Sequence, residues 1–178
     1  SIADARKNKM QLNFAGKNAP VKPKFIGRRV LENIDLALLT QYIDWGPFFQ
    51  TWDLAGAYPG ILKDPVVGET ATKLFADGQA LLKKIIEGRW LTASGVISLL
   101  PANSVNNDDI EIYTDESRQQ VAFTYYGMRQ QTEKPVIDGV PRPNQCLADF
   151  IAPKSSGVQD YIGMFAVTAG RSEEHTSE

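Results

Sequence analysis

Apolar residues recur with two different periods along this chain, and the change falls near Trp90. Before it the spacing is helical. In YIDWGPFFQTWDLAGAYP, residues 42–59, Trp45, Phe48, Phe49 and Trp52 stand at i, i+3, i+4 and i+7, which places their rings on one face of a short helix and predicts that the face is buried. Pro47 suits a first helical turn, where its missing N–H is no loss, and Gly56, Tyr58 and Pro59 predict a closing turn. Upstream, residues 29–33 read as extended, and Asp35 predicts a cap for a short helix with Leu36, Leu39 and Ile43 on one face. Downstream, Asp64 followed by Pro65 predicts a helix start. Val67, Ala71, Leu74, Phe75, Gly78, Leu81, Leu82 and Ile85 then recur at helical spacing up to a terminating Gly88.

After Trp90 the period shortens. Residues 95–101 form an apolar run suited to a buried strand, and 109–114 alternate like a half-buried one, with SVNNDD as the turn between them. Val121, Phe123 and Tyr125 alternate again, which predicts a hairpin pairing 109–114 with 119–126. Pro135, Gly139, Pro141 and Pro143 mark 134–144 as a loop. Two more strand-like runs, 146–151 and 161–168, are separated by the polar turn PKSSGVQD. Together these elements predict an α+β fold: an antiparallel sheet with one long helix and shorter helices packed on it.

Composition narrows the classes. With 178 residues and 43% apolar content the chain suffices for one core, burying roughly 70% of its unfolded surface. A net charge of −2 gives no electrostatic footprint for nucleic acid. No apolar run reaches membrane-spanning length, so no membrane partner is expected. A single cysteine, Cys146, precludes an internal disulfide and a four-thiolate zinc site, and it fits a reducing, cytoplasmic setting. Residues 1–29, with their lysines, arginines and prolines, read as a basic, solvated linker. The last residues, RSEEHTSE at 171–178, break every pattern before them and spell the in-frame translation of a common sequencing adapter. They are read as an artefact, which the underlying nucleotide record would check, and the only histidine, His175, lies among them.

Catalytic chemistry is scarce. There is no glycine-rich phosphate cradle, and one histidine with one cysteine cannot build a nucleophilic triad, so no catalytic residue and no metal site is assigned. Asp108 with Asp109, and Asp115 with Glu116, fall in turns and read as turn chemistry. Asp149 interrupts an apolar run and predicts a buried carboxylate paired with Arg129 as a structural ion pair. Two readings stay open for Asp44, between Ile43 and Trp45. It caps the following helix, or it meets a cationic or hydroxyl-bearing ligand beside aromatic walls.

The string around Asp44, with DPVVGETATKLFADGQALLKKI, GVISLLPANSVNNDDIEIYTDESR, RQQTEKP and CLADFIAPKSSGVQDYIGMFAVTAG in that order, resembles the S-adenosylmethionine-binding activation domain of cobalamin-dependent methionine synthase over residues 30–170. The resemblance implies a domain that binds S-adenosylmethionine for reductive methylation of inactive cob(II)alamin. Its partners would be the cobalamin-binding module of the same enzyme and a flavodoxin-type electron donor, with cobalamin and zinc held by the parent methyltransferase's other modules. It implies a ligand contact for Asp44 alone in this chain. Gly46 stands where relatives often carry threonine, which predicts a looser turn around Asp44. An Arg-x-x-x-Gly-Tyr motif and downstream tyrosine contacts of the family fall past residue 170, so the chain reads as the N-terminal part of the domain, incomplete at its C-terminus and inactive alone. A noncatalytic docking module using the Trp45–Trp52 aromatic face, and a separately encoded activation subunit, are the alternatives.

Overall fold

The computed structural model describes residues 1–171. The basic opening contains a helix, α1 (Ile2–Lys7), closed at its start by Ser1 and Asp4, which cap each other. Its Ala5 is buried and its Arg6 is ion-paired to Asp108 at 2.7 Å, so this segment is tied down where composition suggests a solvated connection. Strand β1 (Gly27–Ile34) follows. Asp35 then accepts a hydrogen bond from the Ala37 N–H at 2.9 Å and caps α2 (Leu36–Leu39), as its position predicts. The aromatic segment forms α3 (Gly46–Thr51), with Pro47 in its first turn, and ends in a cis Tyr58–Pro59 bond.

The long helix α4 (Gly68–Glu87) has 20 residues and is terminated by Gly88 as expected, but it starts later than the sequence reading. Asp64 Oδ1 accepts from the N–H groups of Val66 and Val67 at 2.8 and 3.0 Å, which spends the cap on a preliminary turn and delays the helix to Gly68. At the other end Gly88 keeps a right-handed conformation, and the left-handed residue is Arg89, with φ of 51°.

Strand β2 (Leu91–Val105) is longer than the apolar run that announces it. It pairs antiparallel with β3 (Asp109–Tyr113), which pairs antiparallel with β4 (Val121–Tyr126) in the register Asp109 to Tyr126 and Ile112 to Phe123. This is the expected hairpin. Asn106 and Asn107, both at positive φ, make the β2–β3 turn. The predicted loop holds a small hairpin of its own, β5 (Val136–Ile137) with β6 (Val140–Pro141), turned by Asp138 and Gly139 at φ of 52° and 77°. The run at 146–151 is not a strand. It is a 3-10 turn at Leu147–Phe150, because Asp149 folds back to accept from the Cys146 N–H at 3.0 Å. Strand β7 (Asp160–Arg171) closes the series; the order is β1-β2-β3-β4, with β7 also on β2. The class is α+β, as expected.

Contacts divide the chain into two units, one of residues 1–29 with 97–165 and one of 30–96 with the chain from Ala166. The first is organised on Ala102, Ile110, Ile112, Cys146, Ala148, Ile151 and Ile162, so Cys146 is the small buried apolar residue it is expected to be. The second is organised on Phe49, Ile61 and Ala71, with Trp45, Phe48, Leu74 and Phe75 packed around them.

Candidate functional site

The aromatic cluster of the second unit sets the position of Asp44. Phe49 is fully buried, and Trp45 meets Phe48 and Phe75 edge-on with centroids 5.3 and 4.8 Å apart. Phe48 in turn lies against Gly78 of α4, where an added Cβ would stand 2.9 Å from its ring. Trp52 departs from the expected face. It follows the last residue of α3 and is 61% exposed, because the helix ends before its ring can reach the seam.

Asp44 sits on the exposed rim of this cluster. Its Oδ1 accepts from the Gly46 N–H at 2.9 Å, and Oδ2 takes no hydrogen bond among the described residues. The turn is held by this bond from the Gly46 main-chain N–H to the side-chain carboxylate. The bond makes a local turn from Asp44 to Gly46 and not a helix cap, since Trp45 is the residue that precedes α3 and no side chain caps it. Next to it, Trp45 with Thr40 and the α4 residues Gln79, Leu82, Lys83 and Ile86 lines a cleft of about 370 Å³. Trp45 faces the cleft, whereas Asp44 stands outside its lining.

The first unit holds a polar network that the sequence shows in part. Arg129 is bidentate on Asp149, at 2.8 and 2.7 Å, and this is the pair expected from the interrupted apolar run. Its Nε also donates to Asp108 Oδ1 at 2.7 Å, and Arg6 reaches the other oxygen of Asp108. Asp108 thus lies in the β2–β3 turn as expected, but its buried carboxylate serves a charge network and not local turn bonds. Burial disfavours its ionised form, but the hydrogen bonds from Arg129 and Arg6 outweigh that and hold its carboxyl below the ordinary range. Asn144 joins through its amide, which donates to the carbonyls of Gln130 and Thr132. Every carboxylate here is matched by a guanidinium, so the cluster fixes structure. No local signal links Arg6 to Asp108, which are separated by 102 positions.

The other acidic spots are ordinary. Asp115 accepts from the Ser117 N–H at 2.8 Å as a turn residue, Glu116 pairs with Lys22, and Asp160 Oδ2 accepts from the Ala152 N–H at 2.7 Å. Among the described residues no group of three or more His, Cys, Asp or Glu is placed to hold a metal ion, and no helix is long and apolar enough to cross a membrane. The reading of 171–178 as an artefact, His175 included, lies outside the described residues but for Arg171.

Comparison with known proteins supplies a context for this arrangement. Residues 35–178 match the family described as vitamin B12 dependent methionine synthase, activation domain. The chain is also similar to a solved structure, the crystal structure of the MetH reactivation domain bound to AdoHcy, at 45% identity and a TM-score of 0.77. That alignment covers 96% of this chain and 50% of the other, so the chain spans half of its relative's length.

Proposed function

Because the chain belongs to the family of vitamin B12-dependent methionine synthase activation domains, we propose that it contributes Asp44 to a site for S-adenosylmethionine. The observation that carries the reading is the half-committed carboxylate of an exposed residue: Oδ1 accepts from the Gly46 N–H, Oδ2 has no partner among the described residues, and Trp45 is the next residue in the chain. A sulfonium ligand with an ammonium group and hydroxyls brings positive charge and donors, and an open carboxylate oxygen next to an aromatic wall fits both. The relative's AdoHcy, the demethylated form of the same ligand, supports the assignment. When bound, S-adenosylmethionine supplies a methyl group, in this reading to reduced cobalamin during reactivation. Asp44 supplies a fixed acceptor and counter-charge, and the aromatic cluster behind it holds that acceptor in place.

In this reading the parent protein is the methyltransferase, its cobalamin module and a flavodoxin-type electron donor are the partners, and zinc belongs to another module. One carboxylate offsets little of the cost of ordering a ligand with many rotors, so the 178-residue chain binds it weakly. Titration with S-adenosylhomocysteine, followed by amide shifts, is expected to give weak saturable binding that drops about tenfold in Asp44→Asn, the loss of one charge-assisted hydrogen bond. Affinity untouched by that change removes Asp44 from the site, and tight binding by the chain overturns the claim that it binds weakly.

A second reading, a docking face, is favoured by the exposure of Tyr42 and Trp52, 77% and 61%. Trp52→Ala would then weaken association with the cobalamin module and leave the ligand titration as it was.

A further inference from the structure

The dipeptide Asp-Gly occurs twice in the chain, at Asp77–Gly78 and at Asp138–Gly139. In this pairing an aspartyl carboxyl is open to attack by the next main-chain nitrogen, because glycine has no side chain to screen that nitrogen. Both aspartates are exposed, so solvent access does not separate them. The backbone does. Asp77 and Gly78 lie in the interior of α4, where the Gly78 N–H is committed to the carbonyl four residues back, and a Cβ on Gly78 would stand 2.9 Å from the ring of Phe48. Asp138 and Gly139 are instead the two turn residues of the β5–β6 hairpin. Among the described residues neither the Gly139 N–H nor the Asp138 carboxylate has a hydrogen bond. The hairpin rests on two residue pairs, Val136 with Pro141 and Ile137 with Val140, all exposed, and Pro141 has no N–H to give. A ribbon this short is marginal and opens readily.

We propose that Asp138 is a site of spontaneous isoaspartate formation and that Asp77, in the same dipeptide, is not. The Gly139 nitrogen attacks the side-chain carboxyl carbon of Asp138, a C–N bond closes a five-membered imide, and the amide hydrogen and the carboxyl hydroxyl leave together as water. Water then adds back and breaks one of the two C–N bonds of the imide. Breaking the side-chain bond restores aspartate. Breaking the main-chain bond leaves the chain running through the former side chain, with the α-carboxylate free and the mass unchanged. The product carries one more methylene in the main chain, at a turn whose two-residue length sets the β5–β6 register, so the pairing of Ile137 with Val140 is lost. The same closure at Asp77 first requires the middle of a 20-residue helix to open, which slows it. None of this depends on the role of Asp44.

The test ages the 178-residue chain for several weeks at physiological temperature and neutral pH. The peptides carrying each dipeptide are then separated, and isoaspartate is assigned by electron-transfer fragmentation. Isoaspartate is expected to accumulate at residue 138 about tenfold or more faster than at residue 77. In a parallel sample kept unfolded in guanidinium chloride the two rates are expected to converge, since the dipeptide is the same. Equal rates in the folded chain, no isoaspartate at residue 138, or a difference of the same size in denaturant each overturns the proposal, the last by tracing the difference to neighbouring sequence. In the isomerised fraction the proton contacts between Ile137 and Val140 are expected to vanish while the far-UV circular dichroism spectrum stays as it was; contacts that persist overturn the effect assigned to the hairpin.

Discussion

Arg129 grips the Asp149 carboxylate with both terminal nitrogens, at 2.8 and 2.7 Å, and the two side chains are 0% and 3% exposed. The same guanidinium serves Asp108 through Nε. One cation therefore balances two buried anions, with only the half-exposed Arg6 to assist.

Removing that cation leaves uncompensated charge in the interior. Arg129→Met is expected to cost about 3–5 kcal/mol, the usual penalty for breaking a buried pair from one side. Urea unfolding followed by tryptophan fluorescence measures it, and a loss below about 1 kcal/mol would show that the network is solvated in practice.

The same network sets an acid limit. The carboxyl of Asp108 is held below its ordinary range in the folded chain, so the stabilisation is fully present above the unfolded value near 4 and is lost as pH falls through the lower folded value. Urea midpoints measured from neutral pH down to about pH 3 are expected to fall below roughly pH 4. Arg6→Gln, which removes one of the two guanidinium partners, is expected to flatten that fall; an identical profile in the variant would contradict the assignment.

Within the aromatic segment, burial separates residues that sequence spacing groups together. Phe49→Ala removes a fully buried ring and is expected to cost about 3–5 kcal/mol, whereas Trp52→Ala is expected to stay within about 0.5 kcal/mol. Thermal unfolding of the two variants side by side decides it, and equal losses would restore Trp52 to the core.

Gly127 follows β4 directly, and a Cβ there would collide with the carbonyl oxygen of Asp108 and stand 2.8 Å from Cys146 Sγ. A backbone oxygen cannot turn aside as a side chain can. Gly127→Ala is expected to destabilise by about 1–3 kcal/mol and to perturb the Asp108–Arg129 contact, visible as a changed Arg129 Nε resonance. A neutral substitution would mean that the strand end shifts freely.

The parts of this protein governed by near neighbours were legible in its sequence. The Asp35 cap, the course of α4 to its end at Gly88, the hairpin of β3 and β4 and the turn at Asp115 all depend on residues a few positions apart, where periodicity and side-chain chemistry act without the rest of the chain. The pairing of Asp149 with Arg129 was legible for a related reason: a charge inside an apolar run must be matched, and few cations were close. Only the tertiary structure decided that 146–151 turns instead of extending, since Asp149 is drawn back by an arginine on another segment. It also decided that Arg6 belongs to the Asp108 network and that Trp52 faces solvent. These outcomes depend on which distant groups arrive beside one another and where a helix stops, and burial then sets the cost of leaving any of them unmatched.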